Sequence, residues 1–265
     1  MKLQKIFLPK FKTLLIRLGK DNDGGYCVPK KSVMNSDFLF SFGLDDDWSF
    51  EKDFINKNSK TKVFVFDKSV TFTFWIKKFL KIIIEVLSFK KTPISIFRFF
   101  YIFFDYLIFF RNSNVKHFKK NVIQKNQIIK NDNENSHISL KEILSKNNGK
   151  NFFLKIDIEG NEYRILEDIV ENQTRLEGLV IEFHNSDLME EKILAFSERL
   201  KLDLVHVHIN NFAETNNKGY ATVFEATYSP RKYNIQREKD EFIFPVQGLD
   251  QPNNEKAIDE KVFFE

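Results

Sequence analysis

The fold of this chain is decided by one stretch, Asn151-Phe152-Phe153-Leu154-Lys155-Ile156-Asp157-Ile158-Glu159-Gly160-Asn161-Glu162. Its apolar run predicts a buried parallel strand, and the residues that follow predict an amphipathic helix. The apolar face of that helix would consist of Tyr163, Leu166, Ile169 and Val170. Open α/β sheets bind ligands beyond the carboxyl ends of their strands, where Asp157 and Glu159 are expected. Because acids at the end of a buried strand are costly to desolvate, we predict that Asp157 belongs to a functional site. Glu162 is explained more simply as an acid in a first helical turn.

The composition limits the class of protein. The chain has 265 residues, 42% of them hydrophobic, so we predict one large core and a single domain over residues 1–265. A net charge of +4 is small beside 41 basic and 37 acidic residues, which argues against a dedicated nucleic-acid binder. One cysteine excludes an internal disulfide and fits a reducing compartment, so we expect a cytoplasmic protein. The first twenty residues interleave lysines with apolar residues, unlike a signal peptide.

Two strand ends predict a nucleotide site. Residues 37–43 read as a strand that ends at Gly43, and an acidic turn that includes Asp45 leads into a helix capped by Ser49 or an aspartate. Residues 62–67 read as a second strand that ends at Asp67, the place where a Rossmann-like sheet binds ribose hydroxyls. A helix cap or turn is the alternative role for Asp67. The series G-x-G-x-x-G is missing, and an acidic turn suits a sulfonium cation or an amino group better than phosphates.

A second glycine feature precedes this region. Gly24 and Gly25 follow Asp21-Asn22-Asp23 and predict a tight turn whose backbone amides can approach a ligand. A simple hairpin turn leading into Tyr26 is the alternative.

Residues 70–112 interrupt the α/β pattern with aromatic residues. Their seven basic residues stand against Glu85 and Asp105, and no uncharged apolar run approaches the ~20 residues that span a bilayer. We predict two helices joined at Thr92-Pro93, because Pro93 can begin a helix but not continue one. We expect this insertion to form a lid over the site or a dimer interface. Contact with the inner face of a membrane, reached from the cytoplasm, is the alternative.

The remaining pattern completes an α/β sheet. A weak strand is expected within residues 121–130, and Ser139 with Glu142 forms a capping box for a short helix. Residues 178–184, 204–209 and 221–228 read as strands, and residues 187–200 as a helix.

Several of these motifs carry a resemblance to a known family. The stretch 154–162 resembles the signature of FkbM-type methyltransferases, and a bacterial branch of that family shares further motifs. These are Asp21-Asn22-Asp23-Gly24-Gly25-Tyr26, Ser41-Phe42-Gly43, Ile181-Glu182-Phe183-His184, His206-Val207-His208 with Asn210-Asn211, and Gly248-Leu249-Asp250 with Pro252-Asn253. The resemblance covers most of the chain outside residues 70–112. It implies a class I (Rossmann-like) fold with a mostly parallel seven-stranded sheet, S-adenosylmethionine as cofactor, and methyl transfer to a hydroxyl, often on a sugar of a surface glycan. The chain departs from the pattern after Gly43, where Asp45 to Asp47 replace a second glycine.

This chemistry needs a base near the acceptor hydroxyl. We predict His184 as that base, oriented by Glu182 or Asp157. Cofactor contacts are expected from Gly43, Asp45, Asp67, Asp157, Gly24 and Gly25. The alternative is a divalent metal held by these acids and His184 together with His206 and His208, whose spacing is not diagnostic, so no metal is predicted.

Two classes of function remain open at this stage. The first is a methyltransferase acting on a sugar or glycan precursor, and the second is a catalytically silent member of the same fold that binds a cofactor or a partner. The retained acids and His184 favour the first, while the reduced glycine loop leaves room for the second. An oxidoreductase is disfavoured because the dinucleotide fingerprint is missing.

Overall fold

A computed structural model describes residues 1–122, 137–147, 149–238 and 243–265 of the protein. Most of the weak strand expected within residues 121–130 lies outside these ranges. Asn121–Val122 is described and pairs in parallel with His137–Ile138.

Seven strands form the central sheet. They are β1 (Phe38–Phe42), β2 (Lys62–Phe66), β3 (Val115–Phe118), β4 (Phe152–Ile156), β5 (Leu176–His184), β6 (Leu202–Ile209) and β7 (Val223–Pro230). Their spatial order is β6-β7-β5-β4-β1-β2-β3. All neighbours are parallel except β7, which runs antiparallel to β5 and β6. The order 3-2-1-4-5 is the doubly wound arrangement, reversing between β1 and β4. The predicted class I Rossmann-like fold is confirmed.

Within the described residues, seven α-helices accompany the sheet. They are α1 (Lys30–Asn35), α2 (Ser49–Lys57), α3 (Phe72–Leu87), α4 (Ile94–Phe109), α5 (Leu140–Ser145), α6 (Leu166–Asn172) and α7 (Glu190–Arg199). The capping box of α5 is confirmed, since the Glu142 backbone N–H donates to Ser139 Oγ over 3.2 Å. The helix predicted directly after Gly160 begins later than expected. Glu162–Arg164 forms a 3-10 turn, and the α-helix starts only at Leu166.

The core lies on both faces of the sheet because side chains alternate along each strand. On β1, Phe38, Phe40 and Phe42 pack on one face with α5, α6 and α7. Leu39 and Phe153 point to the opposite face, which α1 to α4 cover. Near the carboxyl ends of β4 and β5, buried polar side chains such as Lys155 and Glu182 replace this apolar packing on the second face.

Two segments cover that polar part of the sheet. The amino-terminal hairpin pairs Leu15–Leu18 antiparallel with Tyr26–Pro29, and Thr227 on β7 donates to the Cys27 carbonyl over 2.7 Å. Residues 249–259, here called the carboxyl-terminal strap, are fixed by Asp250 and Asp259, which contact two histidines of β6. Short pairings join the chain ends to the domain, between Lys2–Leu3 and Phe263–Phe264 and between Phe11–Lys12 and Ile235–Gln236.

The two helices of the insertion flank Pro93, as the sequence predicts. Trp75 and Phe99 are buried against the second face of the sheet. Asp105 fixes the insertion to the turn after β1, where it accepts a hydrogen bond from Trp48 Nε1 at 2.8 Å. Within the described ranges, no helix combines the length and apolarity that a bilayer crossing requires.

Candidate functional site

A cleft of about 510 Å³ opens at the carboxyl ends of β1, β2 and β4. It lies where the strand order reverses between β1 and β4, the position at which open α/β sheets bind ligands. The residues that line it include Gly43, Asp45, Asp67, Asp157, Glu159 and Arg164. Four of the predicted cofactor residues therefore meet at one cleft.

Gly43 makes the closest approach between β1 and β4. Its φ is +86°, and a Cβ at this position would lie 1.7 Å from the Asp157 carbonyl oxygen. The buried Lys155 ammonium donates to the Gly43 carbonyl over 3.1 Å, while the Gly43 N–H donates to the Phe66 carbonyl over 3.1 Å. A glycine is therefore required here for steric reasons as well as for its conformation.

Asp67 holds the loop that forms one wall of the cleft. One carboxylate oxygen accepts the backbone N–H groups of Leu44 and Asp45 at 2.8 and 3.1 Å. The other accepts both the backbone N–H and the hydroxyl of Ser69, each at 2.6 Å. Burial alone would raise the pKa of Asp67, but these hydrogen bonds hold that pKa below its ordinary value. The turn role considered for Asp67 is thus present, and contact with a ribose stays a prediction.

The acidic turn after Gly43 contributes one aspartate to the cleft. Asp45 lines it with a left-handed backbone (φ 46°), an uncommon conformation for a residue other than glycine. Asp46 forms an ion pair with Lys78 of α3, and Asp47 forms one with Lys20 over 3.1 Å. The negative charge of the turn is therefore largely compensated except at Asp45.

Gly24 and Gly25 do not line the cleft. They lie in the turn of the amino-terminal hairpin, where a Cβ on Gly24 would meet Asp47 Oδ2 at 2.3 Å. A Cβ on Gly25 would meet the Lys20 carbonyl oxygen at 2.2 Å. Close packing of the turn explains both glycines, as in the simpler alternative.

Asp157 connects the cleft with the polar part of the sheet. It lines the cleft, and its Oδ2 accepts a hydrogen bond from the Tyr26 hydroxyl at 2.9 Å. Burial, assisted by Asp157 and Glu225, raises the pKa of the neighbouring Glu182 well above its ordinary value. Its Oε1 accepts a hydrogen bond from Asn210 at 2.6 Å.

His184 lies among carboxylates at the end of β5. Its Nδ1 is 3.3 Å from Glu162 Oε1 and its Nε2 is 3.4 Å from Glu159 Oε2. Burial lowers the pKa of His184, but Glu162, Asp157 and Glu159 outweigh burial and raise that pKa above its ordinary value. The structure thus brings the three predicted catalytic residues together. A carboxylate oxygen of Asp157, one of Glu182 and a ring nitrogen of His184 all lie within 4.8 Å of one another. Of these three, Asp157 lines the cleft.

Glu162 has a second role besides the expected one. It stands in the first turn of the 3-10 helix Glu162–Arg164, in line with the sequence prediction. Its side chain is also fully buried, and its Oε1 accepts the His184 backbone N–H at 2.7 Å. Glu162 therefore satisfies the end of β5 as well as beginning the turn that precedes α6.

The polar side chains around Asp157, Glu182 and His184 are here called the polar cluster. Sequence reasoning missed some of its members. Glu225 lies opposite Glu182 in the pairing of β7 with β5, and Asn253 of the strap donates to Glu225 over 3.0 Å. Tyr26 belongs to the motif of residues 21–26. Asp157, which accepts its hydrogen bond, is 131 residues away in the sequence. Only the fold brings these groups together.

The larger metal cluster considered from the sequence is not assembled. His206 contacts Asp250 at 3.0 Å and His208 contacts Asp259 at 3.1 Å, so both histidines of β6 hold the strap. Burial lowers the pKa of His208, but Asp259 and Glu225 raise that pKa to about 10, which favours a buried imidazolium. A cation bound by Nε2 of either histidine would have to share or replace these carboxylate contacts.

Comparisons with known proteins give distant structural similarities. No family model and no curated protein matches the chain. Precorrin-6y C5,15-methyltransferase from Geobacter metallireducens GS-15 is 13% identical, with a TM-score of 0.38, over 76% of this chain and 84% of that one. A proposed methyltransferase from Thermoplasma acidophilum is 10% identical, with a TM-score of 0.36, over 74% and 68%. An uncharacterized protein from Listeria monocytogenes serotype 4b is 11% identical, with a TM-score of 0.36, over 80% and 70%. These values are too low to bear on activity, and the class I fold of this chain rests on its own strand order.

Proposed function

We propose that this chain is an S-adenosylmethionine-dependent O-methyltransferase that acts on a sugar hydroxyl of a surface glycan or its precursor. One observation carries the proposal: Asp157 borders the cleft and is also bonded to Tyr26 within the polar cluster. A cofactor in the cleft and an acceptor beside the cluster would then meet at this residue. The motifs shared with FkbM-type methyltransferases support the same assignment.

The cleft suits the cofactor in charge and in shape. Asp45, Asp157 and Glu159 line it and favour a cation, as a sulfonium requires. Asp67 stands at the end of β2, where Rossmann-like sheets bind ribose hydroxyls. The absence of a Cβ at Gly43 lets β1 approach β4, so the wall of the cleft forms without a bulky side chain. When bound there, S-adenosylmethionine would supply a methyl group for in-line displacement.

The polar cluster suits an acceptor rich in hydroxyl groups. Asp157, Glu182, Glu225 and Asn253 present oxygen acceptors beside the buried Tyr26 hydroxyl. Sugar hydroxyls can donate to such carboxylate oxygens and accept from a tyrosine hydroxyl, in exchange for the contacts that these groups now make with one another.

Within this proposal His184 accepts the proton of the acceptor hydroxyl. Asp157 and Glu182 lie close enough to orient both His184 and the hydroxyl. Since the surrounding carboxylates raise the pKa of His184, the residue acts as a base above that raised pKa. Alignment of the acceptor oxygen with the methyl group supplies much of the remaining acceleration.

A catalytically silent binding module is the second candidate, and one observation favours it. The Asp67 carboxylate accepts four hydrogen bonds from the protein, which is about the full capacity of a carboxylate. A ribose would therefore have to share or replace one of them.

Mass spectrometry of surface glycans from cells with and without this protein separates the two candidates. The proposal predicts a glycan species that loses one methyl group when the protein is removed and regains it with the wild-type chain. An Asp157→Asn chain should fail to restore that species. Identical glycan masses with and without the protein, combined with cofactor binding in solution, would support the silent module instead.

A further inference from the structure

We infer that the α3–α4 insertion is an in-plane anchor for a membrane surface that carries anionic lipid. The inference does not depend on the proposed methyl transfer. The insertion has two opposite faces. Its inner face, with Trp75, Ile82, Phe99 and Phe109, is buried against the domain. Its outer face is also apolar, yet solvent-exposed.

The exposed apolar residues of the outer face form one stripe along each of the two helices. Phe72, Ile76, Leu80, Ile84 and Leu87 recur at helical spacing along α3, and Phe97, Tyr101, Phe104 and Ile108 do so along α4. Leu87 is 74% exposed and Phe97 is 76% exposed. Surface apolar residues are ordinary when they are isolated, but a contiguous patch of this kind marks an interaction surface.

The two helices of the insertion pack against each other through aromatic side chains. The Phe79 and Phe99 rings lie 5.2 Å apart and the Trp75 and Phe103 rings 5.3 Å apart, a register that makes the helices antiparallel. Each helix has 16 residues, about 24 Å of length, and neither can cross a bilayer. A short helix with an apolar outer face and basic flanks lies instead in the plane of the interface.

The positive charge of the insertion favours anionic lipid over a second copy of the chain as the partner of the outer face. The insertion has seven basic residues and two acidic ones, Glu85 and Asp105. Both acids are already paired, Glu85 with Lys91 and Asp105 with Lys52. Among the described residues, no ion pair joins a carboxylate to the exposed cations Lys77, Lys81, Lys90, Arg98 and Arg111.

A two-fold dimer through the outer face would bring two sets of these unpaired cations to one interface without adding a carboxylate to neutralise them. Anionic headgroups would neutralise them instead, while the apolar stripes enter the acyl region. The expected lid role has less support, because none of the described residues that line the cleft comes from α3 or α4.

Vesicle flotation with the full chain tests this inference. Vesicles of phosphatidylcholine with added phosphatidylglycerol should carry the protein upward at low salt, and pure phosphatidylcholine should carry much less. Phe97→Ser combined with Phe104→Ser should abolish flotation. Leu188→Ser combined with Ile258→Ser removes two exposed apolar side chains elsewhere and should leave flotation unchanged. Thermal unfolding of each variant confirms that it is folded.

A charge variant tests the electrostatic part. Replacing Lys77, Lys81 and Arg98 with glutamine should weaken partitioning roughly a hundredfold, since each basic residue near such a surface strengthens it about fivefold. Sedimentation velocity without lipid completes the experiment, and a monomer is expected. No flotation of the wild type, or flotation unaffected by the two serine substitutions, would overturn the inference. So would a lipid-free dimer that the same two serine substitutions dissociate.

Discussion

Gly43 at the end of β1 approaches the Asp157 carbonyl at the end of β4 so closely that a Cβ would lie 1.7 Å from that oxygen. The contact joins the two parallel strands between which the strand order of the sheet reverses. Both residues line the cleft. The geometry of the cleft mouth therefore depends on the absence of a side chain at Gly43.

Gly43→Ala should destabilise the protein and abolish cofactor binding. The added Cβ forces β1 and β4 apart, and alanine is strained at φ +86°, so we expect a loss of about 2–4 kcal/mol in the free energy of unfolding. Gly248→Ala is the matched control, because Gly248 has φ +76° but open space around it. Urea unfolding of both variants should show a clearly smaller loss for Gly248→Ala. Equal losses would mean that backbone strain alone explains Gly43.

Asp67→Ala should weaken S-adenosylmethionine binding more than tenfold, measured by calorimetry. The substitution removes an acceptor for the ribose and releases the amides of Leu44 and Asp45, and a charge-assisted hydrogen bond contributes about 1.5–3 kcal/mol. Asp37→Ala, at the amino end of β1, should leave the affinity unchanged. A folded Asp67→Ala protein with wild-type affinity would remove Asp67 from the binding site.

Glu159→Gly should stabilise the protein by about 0.5–1 kcal/mol in urea unfolding. Glu159 has φ 52°, and this left-handed conformation costs a residue with a side chain about 1–2 kcal/mol, partly offset by the greater freedom of glycine when unfolded. Glu159→Gln keeps the side chain and should bring no such gain. Stabilisation by glutamine as well would point to charge repulsion as the cause.

The pH profile of kcat/KM should report His184. A base must be unprotonated, and Glu162, Asp157 and Glu159 raise the pKa of His184 despite burial. Activity should therefore rise with pH through an apparent pKa above 6.5, the ordinary value of histidine. His184→Ala should lower turnover roughly a hundredfold or more with near-normal cofactor affinity, as expected for a general base. Full activity in His184→Ala would remove the base assignment, and wild-type activity abolished by a chelator would instead support a metal at Asp157, Glu182 and His184.

The fold could be predicted from the sequence because its signals are local. The apolar run before Asp157, the glycine that ends β1 and the acid that ends β2 each lie within a few residues of the strand they mark. Pro93 likewise marks the joint between α3 and α4. Strand and helix ends nevertheless shifted. The helix predicted from residue 187 begins at Glu190, and the α-helix predicted directly after Gly160 begins only at Leu166.

The polar cluster could not be predicted, since its contacts join distant parts of the chain. Tyr26 reaches Asp157 across 131 residues, and His206 reaches Asp250 across 44. Glu162 shows a different limit. Its position in the sequence indicates a first helical turn, but it does not show that the side chain is buried and accepts the backbone N–H of His184. Whether a side chain such as that of Glu162 is buried depends on the neighbouring strand, which the local sequence does not specify.

Calorimetric titration of the full chain with S-adenosylmethionine directly tests whether the cleft binds this cofactor. We predict saturable binding at one site per chain, weakened more than tenfold by Asp67→Ala. The same binding should be unchanged in the Phe97→Ser and Phe104→Ser variant of the insertion. No detectable binding by the folded wild-type chain, or binding that Asp67→Ala leaves intact, would contradict the assignment of the cleft to this cofactor.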